Sequence, residues 1–139
     1  MNTNATIYLV DDDASARRGL KRLLLAAGFE VHAYASSDKL LKSPISDKNA
    51  CLILDARIPG LSGVELQAEI ATRAVKLPVI FVTADDDEQT RKKARACKAA
   101  GFFRKPIDGP ALLDAIAWAL ETQGRDVEGK KPTEKGGAK

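Results

Sequence analysis

Apolar residues in this chain recur in two patterns: short continuous runs with the length of buried strands, and spaced stripes with the 3.6-residue period of helices. Ile7-Tyr8-Leu9-Val10 is the first run. From Asp13 or Ser15 onward, Ala16, Leu20, Leu23, Leu24 and Ala27 share one helical face, and Gly28 stands where a left-handed cap ends the helix. Residues 30–34 alternate as a second strand; Ser36 or Ser37 then caps a short helix through Leu41, which Ser43-Pro44 breaks. Residues 51–54 form a third strand. After turn signals at Pro59-Gly60 and Ser62-Gly63, Val64, Leu66, Ile70 and Ala74 mark a third helix. Pro78 opens a fourth strand over residues 79–82. The next helix, from about Asp86 to Ala99, is polar apart from Ala94, Ala96, Cys97 and neighbouring alanines, so it is expected at the surface with weak core anchorage. Phe102 and Phe103 lie in a fifth strand, and a last helix begun by Asp108 or Gly109-Pro110 carries Leu112, Leu113, Ile116, Ala117 and Leu120.

Five strands alternating with five helices call for an α/β fold: a doubly wound, five-stranded parallel sheet with helices on both faces and right-handed crossovers. The length of 139 residues, 45% of them hydrophobic, suits one domain with one sizeable core. Beyond Glu121 the chain turns to Gly, Lys, Glu, Pro and Thr without an apolar face, and burial there cannot offset the entropy of ordering. The expected division is a folded unit over residues 5–122 and a flexible tail over 123–139.

Charge and cysteine usage exclude several function classes. Of the net +3, the stretch from Gly124 contributes +2, through Arg125, Lys130, Lys131, Lys135 and Lys139 against Asp126, Glu128 and Glu134. Aromatic residues make up only 5%, so the basic, stacking footprint of a nucleic-acid binder is missing. Cys51 and Cys97 have neither metal-ligand spacing nor the density of a disulfide scaffold, and each reads as a small buried hydrophobe. The residues Met1-Asn2-Thr3-Asn4 lack a signal-peptide pattern, and no apolar run reaches membrane-spanning length. A soluble, cytoplasmic protein is expected.

The chemistry sits where the apolar runs end. Asp11, Asp12 and Asp13 follow the first strand, Asp55 the third, Thr83 the fourth and Lys105 the fifth. In an open parallel sheet these ends form the ligand crevice, so groups far apart in sequence converge. Asp13, just before the first helix, reads as its cap. Asp11, Asp12 and Asp55 would repel one another by about 4 kcal/mol per pair at 4 Å. A bound cation removes that repulsion, and carboxylate oxygens with a backbone carbonyl and waters favour Mg²⁺. Asp55 then has the geometry of a carboxylate nucleophile toward phosphorus, with Lys105 pairing one phosphoryl oxygen and Thr83 hydrogen-bonding another.

The Asp11-Asp12 pair, Asp55 in Asp55-Ala56-Arg57-Ile58-Pro59-Gly60, Thr83-Ala84 and Lys105-Pro106 resemble the receiver domain of two-component response regulators over residues 5 to about 122. The resemblance implies a flavodoxin-like (βα)5 fold with strand order 2-1-3-4-5 and a cis Lys105-Pro106 bond. It implies Asp55 as phosphoacceptor, Asp12 as the more direct Mg²⁺ ligand of the acidic pair, a backbone carbonyl of Arg57 as a further ligand, and Thr83 with Lys105 on the phosphoryl group. Phe102 occupies the place of the aromatic that turns inward when the Thr83 hydroxyl moves to the phosphate, changing the surface of the fourth helix, fifth strand and fifth helix. The implied partners are a histidine kinase or histidine phosphotransferase and a downstream protein, with a phosphorylation-dependent homodimer as one form of readout. Lys98, where a glycine commonly ends the fourth helix, and Ile107, where an aromatic is frequent, depart from the pattern on that signalling face. Arg57 and Asp85 would flank the phosphoryl group and bear on its hydrolysis.

The expected protein is a stand-alone receiver, complete or cut from a longer regulator, since no output domain follows Glu121. It promotes transfer to and loss of phosphate from itself, without an external product, and is not classed as an enzyme. Two rivals stand beside it. Asp11-Asp12-Asp13 also fits the Asp-x-Asp of a haloacid-dehalogenase-type phosphohydrolase, with Asp11 as nucleophile, although the short chain and the Asp55 loop speak against it. The other rival is an unphosphorylated binding module. His32 has no partner pattern and reads as an exposed strand residue, which argues against a phosphohistidine carrier; Trp118 reads as a core or edge residue of the last helix.

Overall fold

The computed structural model describes residues 5–46, 48–55, 63–73, 75–84, 88–96 and 99–123. Five strands, β1 (Thr6–Val10), β2 (Glu30–Tyr34), β3 (Ala50–Asp55), β4 (Val79–Thr83) and β5 (Gly101–Arg104), alternate with helices α1 (Ala14–Ala26), α2 (Ser37–Leu41), α3 (Gly63–Ala71), α4 (Glu88–Ala96) and α5 (Gly109–Thr122). All neighbouring strands are parallel, in the order β2-β1-β3-β4-β5. The expected fold class and strand order are both met.

The continuous apolar runs follow from burial on both faces of the sheet. Side chains alternate across a strand, so Ile7 and Leu9 point one way and Tyr8 and Val10 the other. The first set joins Cys51, Ile53, Ile80, Val82 and Phe103 in a core closed by Leu20, Leu24, Leu112 and Ile116 of α1 and α5. The second set joins Leu52, Leu54, Val79 and Phe81 in a core closed by Leu40, Leu66, Ile70 and Ala94 of α2, α3 and α4. Crossover helices on both faces leave no solvent-facing side to the central strands, which is why they lack polar alternation.

The helix ends obey their local signals. Asp13 caps α1, accepting the N–H groups of Ser15 and Ala16 at 2.9 and 3.3 Å. At the other end Gly28 takes a φ of 98°, which lets the Gly28 and Phe29 N–H groups bond back to the carbonyls of Leu25 and Leu24 at 3.0 and 3.2 Å. Ser36 caps α2, and Asp108 caps α5 ahead of Pro110. The Lys105-Pro106 bond is cis.

Two expectations need correction, for Ala117 and Gln123. In α5 the buried face is Leu112, Ala115, Ile116, Ala119 and Leu120, whereas Ala117 is exposed. In α4 Ala94 is buried and Ala96 faces solvent, in keeping with the weak core anchorage expected of that helix. Gln123, assigned to the tail, is held: its side-chain oxygen accepts the Ala50 N–H at 3.1 Å and its amide donates to the Lys76 carbonyl at 3.4 Å. Cys97, Lys98, Asp85, Asp86, Ala74, the 56–60 turn and residues 124–139 lie outside the described residues. No helix among the described residues is long and apolar enough to cross a membrane.

Candidate functional site

Register brings the charged residues together. Val10 lies opposite Leu54 in the β1–β3 pairing, so Asp11 leaves its strand beside Asp55. Those two strands flank the point where the chain's crossovers change direction, which is the natural crevice of an open parallel sheet. Asp55 is paired with Val82 and Thr83 with Arg104, which puts Lys105 on the same edge. One carboxylate oxygen from each of Asp11, Asp12 and Asp55 lies within 4.8 Å of the others.

Each of these groups is fixed by identifiable contacts. Asp11 is buried; its Oδ1 accepts the Asp13 N–H at 3.0 Å and its Oδ2 accepts the Lys105 ammonium at 2.9 Å. The same Lys105 Nζ donates to Asp55 Oδ2 at 3.0 Å, and its backbone N–H donates to the Thr83 carbonyl at 2.8 Å. Asp12 is exposed, while Asp55 and Thr83 are buried. Arg57 lies outside the described residues.

Electrostatics couple the buried acid and the ammonium. Burial raises the Asp11 pKa above the ordinary carboxylate range; the Asp55 charge adds to the rise, while hydrogen bonds from Lys105 and the Asp13 N–H oppose it. Burial also opposes the charge on Lys105, but its bonds to Asp11 and Asp55 outweigh that and hold its pKa above the ordinary lysine value. Among the described residues, three carboxylates and the Lys105 ammonium meet here. The donor set is oxygen throughout, and such a cluster of carboxylates fits a hard divalent cation such as Mg²⁺.

One contact was not foreseen from the sequence. The Arg17 guanidinium reaches back one turn from the start of α1 and donates to the Asp11 carbonyl at 2.8 Å, tying down the loop that carries both acids. Phe102, in β5 as read, is half-buried on the α4 side of that strand, with the Arg91 guanidinium 5.4 Å from its ring centre. His32 is an exposed strand residue, stacked on Tyr8 and bonded to Glu30 at 2.7 Å. Cys51 is fully buried, as read, and Trp118 packs against the α1–α5 core from its edge.

Comparison with known proteins agrees with this geometry. The family model described as response regulator receiver domain matches residues 7–117. Nodulation protein W of Bradyrhizobium diazoefficiens is 37% identical over 130 residues, which is 94% of this chain and 57% of that protein. The transcriptional regulatory protein TdiR of Thauera aromatica is 36% identical over 129 residues, 91% of this chain and 57% of that one. This chain thus spans little more than half the length of these relatives. Among solved structures, the response regulator StyR superposes with a TM-score of 0.76 at 39% identity over 85% of this chain and 60% of its own. FixJ-N superposes with a TM-score of 0.74 at 27% identity, over 91% of this chain and 98% of its own. With a matched family over four-fifths of its length and that family's sheet order, the chain belongs to the response regulator receiver domains, signalling switches of two-component systems.

Proposed function

We propose that this receiver accepts a phosphoryl group on Asp55, in the presence of Mg²⁺, from a histidine kinase or histidine phosphotransferase. The observation that carries this reading is the Lys105 ammonium bridging Asp55 and Asp11 at about 3 Å inside a three-carboxylate cluster. Asp12, Asp55 and the Arg57 carbonyl would hold the ion, with Asp11 in support. Asp11 already has both oxygens engaged, which favours the exposed Asp12 as the more direct ligand. When bound, Mg²⁺ neutralises carboxylate repulsion and the charge of the phosphoryl oxygens.

The transfer is a displacement at phosphorus. An Asp55 carboxylate oxygen forms the new O–P bond as the P–N bond to the donor histidine breaks, and the bonding pair leaves on the imidazole nitrogen. Lys105 exchanges its Asp55 contact for a phosphoryl oxygen, and the Thr83 hydroxyl takes another. Thr83 is then drawn toward the phosphate and Phe102 turns toward the vacated space, altering the α4-β5-α5 surface offered to a downstream protein. Loss of phosphate to water resets the switch, so the chain acts on itself rather than on an external substrate. The cytoplasm, where two-component donors present their phosphohistidine, is the compartment this reading requires. The buried, doubly bonded Asp11 is a poor nucleophile, which disfavours the dehalogenase-type alternative.

Incubation with acetyl phosphate, followed by intact-mass analysis, tests the reading. We expect one phosphoryl adduct that requires Mg²⁺, is labile, and is absent from Asp55→Asn. An adduct that persists in Asp55→Asn and disappears in Asp11→Asn would support the hydrolase-type reading. No adduct under any condition would leave a phosphate-independent binding module.

A further inference from the structure

Asp12 is the exposed member of the acidic cluster, and among the described residues no hydrogen bond or ion pair holds its carboxylate. Its direction is therefore set by the backbone on either side. Toward β1, the Asp11 N–H is held by the Tyr34 carbonyl at 3.1 Å. Toward α1, the Asp13 N–H, which belongs to the peptide group after Asp12, is held by Asp11 Oδ1 at 3.0 Å, and the Asp13 carboxylate caps the helix. That leaves the planar peptide group joining Asp11 to Asp12, which can turn about the single bonds flanking it. Its carbonyl oxygen is the atom that the Arg17 guanidinium takes, at 2.8 Å.

Arg17 is the fourth residue of α1, in the first turn, where the helix dipole disfavours a cation. The residue is half-buried, and its own N–H closes the first turn on the Asp13 carbonyl at 2.8 Å. A guanidinium anchored in the helix that Asp13 caps thus reaches back and fixes the acidic loop from its carbonyl side. The bond is charge-assisted, and it engages a backbone oxygen, so the three carboxylates stay open to a cation. Charge and geometry then act in opposite directions on such a cation. Through charge alone, Arg17 repels Mg²⁺ from the cluster, and its loss would tighten binding. Through geometry, it aims Asp12 before the ion arrives, and its loss would weaken binding.

We propose that Arg17 is a positioning residue for the divalent cation, acting through the Asp11 carbonyl to orient Asp12, and that this effect outweighs its repulsion of the ion. The inference rests on the reading of Asp11, Asp12 and Asp55 as the Mg²⁺ site. Holding the Asp11–Asp12 peptide in advance lowers the ordering cost of binding, as preorganisation does at any site. At saturating Mg²⁺ the ion itself holds Asp12, and the contribution of Arg17 vanishes. Arg17 therefore sets how much Mg²⁺ phosphoryl transfer requires and leaves the rate of the loaded protein unchanged.

Mg²⁺ titration of the full chain, followed by NMR through the amide signals of residues 11–13, reads the affinity directly. Arg17→Met keeps the apolar stem and should raise the dissociation constant about tenfold, the low end of what losing a contact behind a metal ligand costs. Arg17→Lys keeps the charge and one donor on a shorter reach, and should fall between parent and Arg17→Met. Arg18→Met removes the adjacent exposed cation, which makes no bond to the loop, and should leave the affinity within about twofold of the parent. Thermal unfolding in EDTA checks that every variant is folded. The rate of adduct formation from acetyl phosphate should differ about tenfold between parent and Arg17→Met at Mg²⁺ far below the dissociation constant, and agree within about twofold at saturation. Tighter or unchanged binding in Arg17→Met, any other order among the three residues at position 17, equal weakening in Arg18→Met, or a rate deficit that persists at saturating Mg²⁺ would overturn the proposal. A parent chain whose 11–13 amides ignore Mg²⁺ would overturn the assignment of the ion site, and the role of Arg17 with it.

Discussion

Lys105 serves two carboxylates with one ammonium, and the consequences of removing it can be worked out from its contacts. Asp11 is shut off from solvent and Asp55 nearly so, and both bond to the same Nζ at about 3 Å. Lys105→Met keeps the stem and deletes the charge, leaving two carboxylates facing each other in a place poor in water. In metal-free buffer we expect a loss of about 1–3 kcal/mol, the cost of an uncompensated buried charge softened by partial solvent access. Mg²⁺ should then stabilise the variant more than it stabilises the parent, because the ion supplies the missing cation. Thermal unfolding with Mg²⁺ or EDTA measures both terms. Equal Mg²⁺ shifts in the two proteins would contradict the view that ion and ammonium neutralise the same charges. At this scale the site was legible because polar groups that interrupt apolar runs are conspicuous: Asp11, Asp55, Thr83 and Lys105 all lie within one residue of a strand's end. Arg17 was not legible, since its bond to the Asp11 carbonyl depends on how the chain curls back from the start of α1. The Gln123 bond to Ala50 joins residues 73 apart in sequence, and no local pattern records it.

Among the helices and strands, two glycines separate local propensity from packing. Gly19 lies within α1, and a Cβ added there meets no atom within 4 Å. Gly19→Ala should therefore stabilise by about 1 kcal/mol, through lower unfolded-state entropy and better helix propensity, raising Tm by about 3–5 °C. Gly101 opens β5, where an added Cβ would lie 3.2 Å from Cε2 of Phe103 and 3.6 Å from Ala115 and Ile80. Phe103 is fully packed and has no room to give, so Gly101→Ala should destabilise by about 1–2 kcal/mol through overpacking. Calorimetry of the two variants checks the opposite signs; stabilisation of both would mean that β5 yields more readily than its packing implies. The same contrast explains how far the elements could be read. Strands and α1 were legible because Leu, Ile, Val and Phe carry a strong periodic signal. The face of α5 was misplaced at Ala117 because alanines occupy residues 111, 115, 117 and 119, and so small an apolar side chain fits either side of a helix. Burial of Ala115 and Ala119 is decided instead by how closely α5 approaches the sheet at β3. In α4 the signal was weaker still: Ala94 is buried and Ala96, two positions on, is exposed.

For the molecule as a whole, Cys51 offers a reporter of cooperative stability. It sits in central strand β3 within the α1–α5 core, fully buried, and that burial pushes its thiol pKa up to about 12 from an ordinary 9.0. The unfolded chain therefore releases the Cys51 proton from about pH 9 upward, whereas the native state keeps it until about pH 12. Native protein binds more protons across that window, so stability falls as pH rises, by about 1.4 kcal/mol per unit from this one group. Lys105 acts in the same direction: its raised pKa gives stability present at lower pH and lost as pH climbs through the folded value. Cys51→Ala removes the first contribution and keeps the second. Its baseline stability should drop by about 1 kcal/mol from lost packing, but its decline between pH 9 and 11 should be shallower than that of the parent by up to the slope given above. Urea unfolding at several alkaline pH values measures the difference. The same burial makes the thiol inert in the native state, so iodoacetamide should modify the Cys51 peptide only through opening, at the free-thiol rate multiplied by the open fraction when reclosing outpaces alkylation. If β3 opens only with the whole sheet, that open fraction gives a free energy equal to global unfolding, as a single sheet with a core packed on each face implies. Parallel pH slopes in parent and variant, together with rapid native-state alkylation at Cys51, would instead mean that the β3 face opens separately from the rest of the domain.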